Sequence, residues 1–184
     1  MDSILSLIGS IIIGSLLFLS VLTYQLDLKQ HSFMHTNYLI VQSNASGIID
    51  VLEEDFKDIG SGVTGSAFSV ADVNDMVYYL DLDADGILDS VRYFLGGTNT
   101  AAGTPNPRDR ILYRIENNQP LVDAALGVTD FKLKYYDENG NETTVLTDIK
   151  TIEVTLELES TLPYDEEYAT FYWRKRITPQ NLIL

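Results

Sequence analysis

The chain has no cysteine, which excludes a disulfide framework, a thiolate metal site and a cysteine nucleophile. Histidine is nearly as scarce, with only His31 and His35. These two stand four apart on one face of a helical stretch, and two imidazoles without a third ligand read as solvated polar residues rather than a transition-metal site. Basic side chains are in the minority, 12 Lys and Arg against 27 Asp and Glu, for a formal net charge of −15. A surface of that sign repels phosphate backbones, so nucleic acid is excluded as a partner. Nucleophile elbow, Walker loop, HExxH and Rossmann glycine pattern are all missing, and paired carboxylates in so acidic a chain single out nothing. The expectation is a protein that is not an enzyme.

The longest absence is one of charge, because no charged residue occurs from Ser3 to Leu26. As a helix that run would extend about 36 Å, more than the ~30 Å hydrocarbon thickness of a bilayer. A cleaved secretory signal would place basic residues before the apolar run and a small-x-small exit after it. Here the run follows Met1-Asp2 directly and leaves through Thr23-Tyr24-Gln25, so a single-pass anchor is expected, with Tyr24 at the interface. Lys29 is the only basic residue near the span, and the positive-inside rule has almost nothing to count. Within the run, Ser6, Ser10 and Gly14 recur every four residues, with Gly9 and Ser15 beside them. Small residues on one face let helix backbones approach closely in lipid, which makes this face a candidate for packing against other helices.

Beyond Leu26 the chain turns polar but keeps helical spacing: Phe33, Asn37, Ile40, Val41, Asn44, Ala45, Ile48, Leu52 and Phe56 recur at steps of three or four. Glu53, Glu54, Asp55 and Asp58 read as a wet face near the helix end. The stop comes where Ile59 meets Gly60-Ser61-Gly62. One helix is therefore expected from about Ile4 to Ile59, with 1–26 in the membrane and 27–59 amphipathic. The period then changes to two: Ile152, Val154, Leu156 and Leu158 alternate with Glu153, Thr155, Glu157 and Glu159. Similar runs at Met76 to Leu82, Ile87 to Leu95, Arg110 to Ile115, Phe131 to Tyr136 and Tyr168 to Ile177 predict further strands. Arg174-Lys175-Arg176 in the last run suits an edge strand, where charge blocks unwanted pairing. The 96–108 segment of Gly, Thr, Asn and Pro has no period and is expected to be a mobile surface loop. These elements make residues 60–184 a β-rich domain of hairpins, and its apolar face needs the amphipathic half of the helix as a cover. The fold class is α+β.

The sharpest chemical motif is Asp81-Leu82-Asp83-Ala84-Asp85-Gly86-Ile87-Leu88-Asp89. Carboxylates of Asp81, Asp83, Asp85 and Asp89, with the Ile87 carbonyl, present hard oxygens at the spacing of a calcium loop. A complete EF-hand is excluded, since Arg92 stands where the bidentate Glu belongs and the flanks read as strands. The alternatives are a looser Ca2+ loop at a hairpin and a plain acidic turn.

Ile111-Leu112-Tyr113-Arg114, the stretch Leu121 to Leu126, Gly127-Val128-Thr129-Asp130-Phe131-Lys132-Leu133-Lys134-Tyr135-Tyr136-Asp137 with Gly140, and the closing Arg176-Ile177-Thr178-Pro179-Gln180-Asn181-Leu182 resemble the C-terminal half of type IV pilin-like minor subunits, the minor pilins and minor pseudopilins of the W and J types. The order of apolar helix, amphipathic continuation, glycine turn and sheet is similar to theirs. The resemblance implies a long helix on an antiparallel sheet and a structural subunit of a type IV pilus-like or type II secretion-like filament. Its implied partners are other pilin-like subunits or envelope assembly proteins, and its implied place is the cytoplasmic membrane with the C-terminal domain extracytoplasmic. The family's basic leader and fifth-position glutamate are not matched: Gly9-Ser10 falls inside the apolar run, and Leu5 or Gly14 stands where the glutamate would be sought. The other expectation carried forward is a permanently anchored extracytoplasmic binding domain with a calcium-stabilised loop.

Overall fold

A computed structural model describes residues 2–117, 119 and 123–183. One helix, α1, runs unbroken over Asp2–Asp58, about 85 Å at 1.5 Å per residue. Nothing in its sequence interrupts it, because proline first occurs at Pro105 and Gly9, Gly14 and Gly47 are isolated. It stops where Gly60 takes a positive φ of 82°, a left-handed conformation that glycine adopts without Cβ strain. The Gly60 amide then donates to the Tyr79 carbonyl at 3.1 Å, which ties the helix end to the sheet.

Seven strands follow: β1 (Phe68–Ala71), β2 (Asp75–Leu80), β3 (Asp89–Leu95), β4 (Arg110–Glu116), β5 (Asp123–Tyr136), β6 (Thr151–Glu159) and β7 (Thr170–Ile177). They form one antiparallel sheet in sequence order, each strand paired with the next. The result is an α+β architecture of one long helix packed on an antiparallel meander. β1 escaped the sequence reading, being only four residues long with no clear alternation. β5 begins eight residues before the expected Phe131, because bulges at its pairings with β4 and β6 break the period of two there. Leu121 and Val122, part of the family-like wording, lie outside the described residues.

The core lies between the C-terminal half of α1 and one face of the sheet. Val41, Ala45, Leu52, Phe56 and Ile59 are buried against Met76, Tyr78, Tyr93, Phe131, Leu133, Ile152, Val154 and Leu156. Phe56 meets Tyr78 and Tyr93 edge-on, with centroids 6.1 and 5.5 Å away, the arrangement that aromatic quadrupoles favour. The expected stripe is thus largely the buried one, but Ile40 is exposed, and Phe33 packs only at its margin against Tyr164. β7 is an edge strand, and two of its three basic residues are tied inward, Lys175 to Glu53 at 2.6 Å and Arg176 to Glu153 at 2.8 Å.

The 96–108 segment has internal order. It holds a 3-10 turn at Thr98–Ala101, and Ala101 and Asn106 are buried. The Asn106 amide reaches Glu159 Oε2 at 2.9 Å and the Ser160 carbonyl at 3.2 Å, so the loop is fastened to the end of β6.

Candidate functional site

Two regions carry the features from which a function can be argued: the free half of α1 and the turn between β2 and β3. From Ser3 to Lys29 every side chain of α1 is exposed except Gly9, which is half-buried. Exposing Ile, Leu and Phe over so long a run is unfavourable in water by roughly 25 cal/mol per Å2 of apolar surface, so this surface calls for lipid or protein around it. It is long and apolar enough to cross a membrane.

Five of the seven hydroxyls on this half are satisfied within the helix. Ser10 donates to the Ser6 carbonyl at 2.8 Å, Ser15 to Ile11 at 2.7 Å, Ser20 to Leu16 at 2.9 Å and Thr23 to Leu19 at 3.0 Å. Ser6 closes on the Ser3 carbonyl at 3.0 Å. These five hydroxyls need no outside partner, which suits a hydrocarbon surrounding. At Gly9 and Gly14 an added Cβ would meet nothing within 4 Å. The surface along Ser6, Gly9, Ser10, Gly14 and Ser15 is therefore shallow and open, the shape that close helix packing uses.

The β2–β3 turn gathers Asp81, Asp83 and Asp89, each offering one oxygen, with all three oxygens within 4.8 Å of one another. Asp85 stands apart from that group and instead closes a local turn, its Oδ1 accepting from the Ile87 amide at 2.7 Å. The Ile87 side chain points into solvent. Backbone amides shape the cluster: Asp85 N and Gly86 N donate to the two Asp81 oxygens at 3.1 Å, and Leu82 N donates to Asp89 Oδ2 at 3.0 Å. The Asn117 amide, together with that Leu82 amide, holds the Asp89 carboxyl below the usual carboxylate range. Three hard oxygen donors on a partly preorganised turn fit Ca2+ chemistry, with water completing the shell.

One charged group was missed by the sequence reading. Asp55, read there as part of a wet face, is tucked against the sheet with its side chain only 12% exposed and paired with Arg114. Arg114 Nη2 donates to Asp55 Oδ1 at 3.2 Å, the Tyr93 hydroxyl donates to Asp55 Oδ2, and Glu116 takes a further Arg114 bond. Burial and the charge of Asp55 push the Tyr93 phenol far up, so it stays a neutral donor. The only signal in sequence was position: Asp55 falls three after Leu52 and one before Phe56, at the border of the buried stripe.

Beside this network is a groove of about 590 Å3 between α1 and the sheet, lined by Ser43, Gly47, Val51, Leu112, Arg114 and Leu126 among others. The polar side chains among its lining are Ser43, Asn44, Tyr93 and Arg114. His31 and His35 border a shallow, mainly apolar recess between α1 and Tyr168. Comparison of the chain with protein-family models, with curated proteins and with solved structures yields no match.

Proposed function

We propose that this chain is a membrane-anchored assembly subunit of the type IV pilin-like kind, a minor pilin or minor pseudopilin, that works by helix packing and sheet-mediated contact rather than by turnover. The observation that carries this reading is the division of one unbroken helix: Ser3 to Lys29 is uncovered and apolar at its core, while Val41 to Phe56 is docked on the sheet. Such a helix holds a folded domain at a set distance from a bilayer, and it offers a small-residue face to neighbours of the same kind. The sequence wording of β4, β5 and the C-terminal segment supports the same family. In this reading the sheet domain is extracytoplasmic, its partners are other pilin-like subunits or envelope assembly proteins, and the anchor lies in the cytoplasmic membrane until assembly.

The test is fractionation of native cells into membrane and sheared surface material, with intact-mass analysis of the amino terminus. Recovery in sheared filaments with a trimmed or modified terminus supports the assembly subunit. A protein with intact Met1, confined to the membrane under conditions that build surface filaments, overturns it.

The convergence of Asp81, Asp83 and Asp89 favours a second reading, a permanently anchored binding domain whose distal hairpin is stabilised by Ca2+. That reading expects calcium to protect the hairpin from proteolysis, and protection unchanged in Asp81→Asn/Asp83→Asn would count against it.

A further inference from the structure

We propose that, independently of the assembly role, Asp109 and the loop above it form a proton-operated latch. The 96–108 loop is closed on the end of β6 while the Asp109 carboxyl carries a proton, and it loosens when that carboxyl ionises. Asp109 is 1% exposed, yet neither oxygen of its carboxyl meets a hydrogen-bond donor. An ionised carboxylate enclosed in that way is costly, and a proton removes the charge. Burial is the main influence and favours the protonated form; the Thr104 hydroxyl acts against it, and the negative charge of Glu159 acts with it. Thr104 Oγ1 directs its own proton at the carbonyls of Ala101 and Asn106, at 3.0 and 3.2 Å, which leaves its oxygen to accept from a protonated Asp109.

The fastening of the loop to β6 passes through Asn106. Its side-chain amide donates to Glu159 Oε2 at 2.9 Å and to the Ser160 carbonyl at 3.2 Å, and its side-chain oxygen accepts from the Arg108 amide at 2.9 Å. Its backbone carbonyl accepts from the Asp109 amide at 3.2 Å, so Asp109 is one hydrogen bond from the fastening. The surrounding charges come from every element packed there. From the loop, Arg108 reaches Glu159 Oε2 at 3.0 Å and lies largely exposed over the Tyr168 ring. From β4, Arg110 lines a cavity of about 270 Å3 with Asp130 of β5 and Glu157 and Glu159 of β6, a cavity to which Asp109 does not contribute. Lys132 of β5 pairs with Asp130, and Asp165, Glu166 and Glu167 beyond β6 are exposed. Arg108, Arg110 and Lys132 are thus set against Asp109, Asp130, Glu157 and Glu159, and neither arginine pairs with Asp109. One acid is in surplus, and Asp109 is the one enclosed without a donor. A proton there brings the group into balance.

A carboxyl that holds its proton more tightly in the closed loop than in the open one favours closure at low pH. That advantage is lost as pH rises through the closed-state value. Each unit between the closed and open values changes the opening constant about tenfold.

The experiment uses the full chain in detergent. Carbon-13 NMR follows the Asp109 carboxyl from about pH 3 to about pH 8, and amide exchange over residues 98–109, corrected for intrinsic rates, is compared across the same range. Expected is an Asp109 midpoint above the ordinary carboxylate value of about 3.9 and loop opening several-fold more frequent at the higher pH. In Asp109→Asn the loop should stay protected throughout, with no pH response. The proposal is overturned if Asp109 titrates at or below the ordinary value, if loop exchange is the same at both ends of the range, or if the response persists in Asp109→Asn. The first two outcomes are read on the unsubstituted chain, so they decide the matter even if Asp109→Asn does not fold.

Discussion

At the scale of single residues, the junction of helix and sheet depends on groups whose cost of replacement can be stated. Gly60 has a φ of +82°, and an added Cβ would sit 3.0 Å from Leu182 Cδ2 and 3.5 Å from Ala67 Cβ. Gly60→Ala is expected to lose about 1–2 kcal/mol from the left-handed backbone alone, read as a lower denaturant midpoint by the fluorescence of the single Trp173. Removing Asp55 has a larger effect, because Arg114 and the Tyr93 hydroxyl are left with less than their due in a nearly dry setting. Asp55→Ala is expected to cost about 3 kcal/mol, whereas loss of the exposed Lys134–Glu142 pair should cost under about 1 kcal/mol.

The acid response follows from the same groups. Asp89 and Asp137 both have carboxyls held below the usual range, Asp89 by Asn117 and Leu82, and Asp137 chiefly by the Asn141 amide. A depressed folded-state pKa means that the unfolded chain binds protons first as pH falls. Their contribution is present above the unfolded carboxylate value and lost as pH drops through the folded one. The melting temperature should therefore fall on acidification below about pH 4. Asp89→Asn should flatten that slope in a pH series of thermal melts, and an unchanged slope would remove Asp89 from the account.

At the scale of elements, α1 is one helix in geometry and two in energetics. Its second half is held by burial: Leu52 and Phe56 are fully enclosed, so Leu52→Ala should cost about 2–5 kcal/mol and Phe56→Ala about 3–5 kcal/mol. Ile40, on the same helix but exposed, should change stability by no more than about 0.5 kcal/mol when truncated. The first half draws no support from the sheet. A bulky residue on its shallow face, Gly14→Leu, is accepted by the isolated helix because nothing lies within 4 Å of the new Cβ. Under the proposed assembly role the expected outcome is normal membrane insertion with weaker cross-linking to neighbouring subunits, and equal cross-linking would remove this face from the proposal.

At the scale of the whole molecule, charge and apolar surface are separated along the chain. Every Lys and Arg, and every acid but Asp2, lies beyond the uncharged run, and the sheet domain at 60–184, with 20 acids against 10 bases, carries −10 of the net −15. In the proposed anchoring, a domain of that sign stays in water and away from anionic lipid headgroups. In liposome flotation, the full chain should float at both low and high salt, because apolar burial rather than charge holds it. Release by salt alone would indicate peripheral attachment.

Periodicity and composition alone determined the long helix, its uncharged half, its glycine stop, most of the strands and the α+β class, since all of these rest on local preferences that repeat along the chain. The Asp-rich turn was legible for the same reason, although folding gathers Asp81, Asp83 and Asp89 and leaves Asp85 apart. The tertiary structure alone decided that Asp55 is a paired, buried charge, that Asp109 is buried, and that Asn106 fastens its loop to β6. Asp55 and Arg114 are 59 positions apart, Asn106 and Glu159 53. A local pattern carries no record of contacts at that separation, which depend on which way the sheet turns its edges and where the helix crosses it.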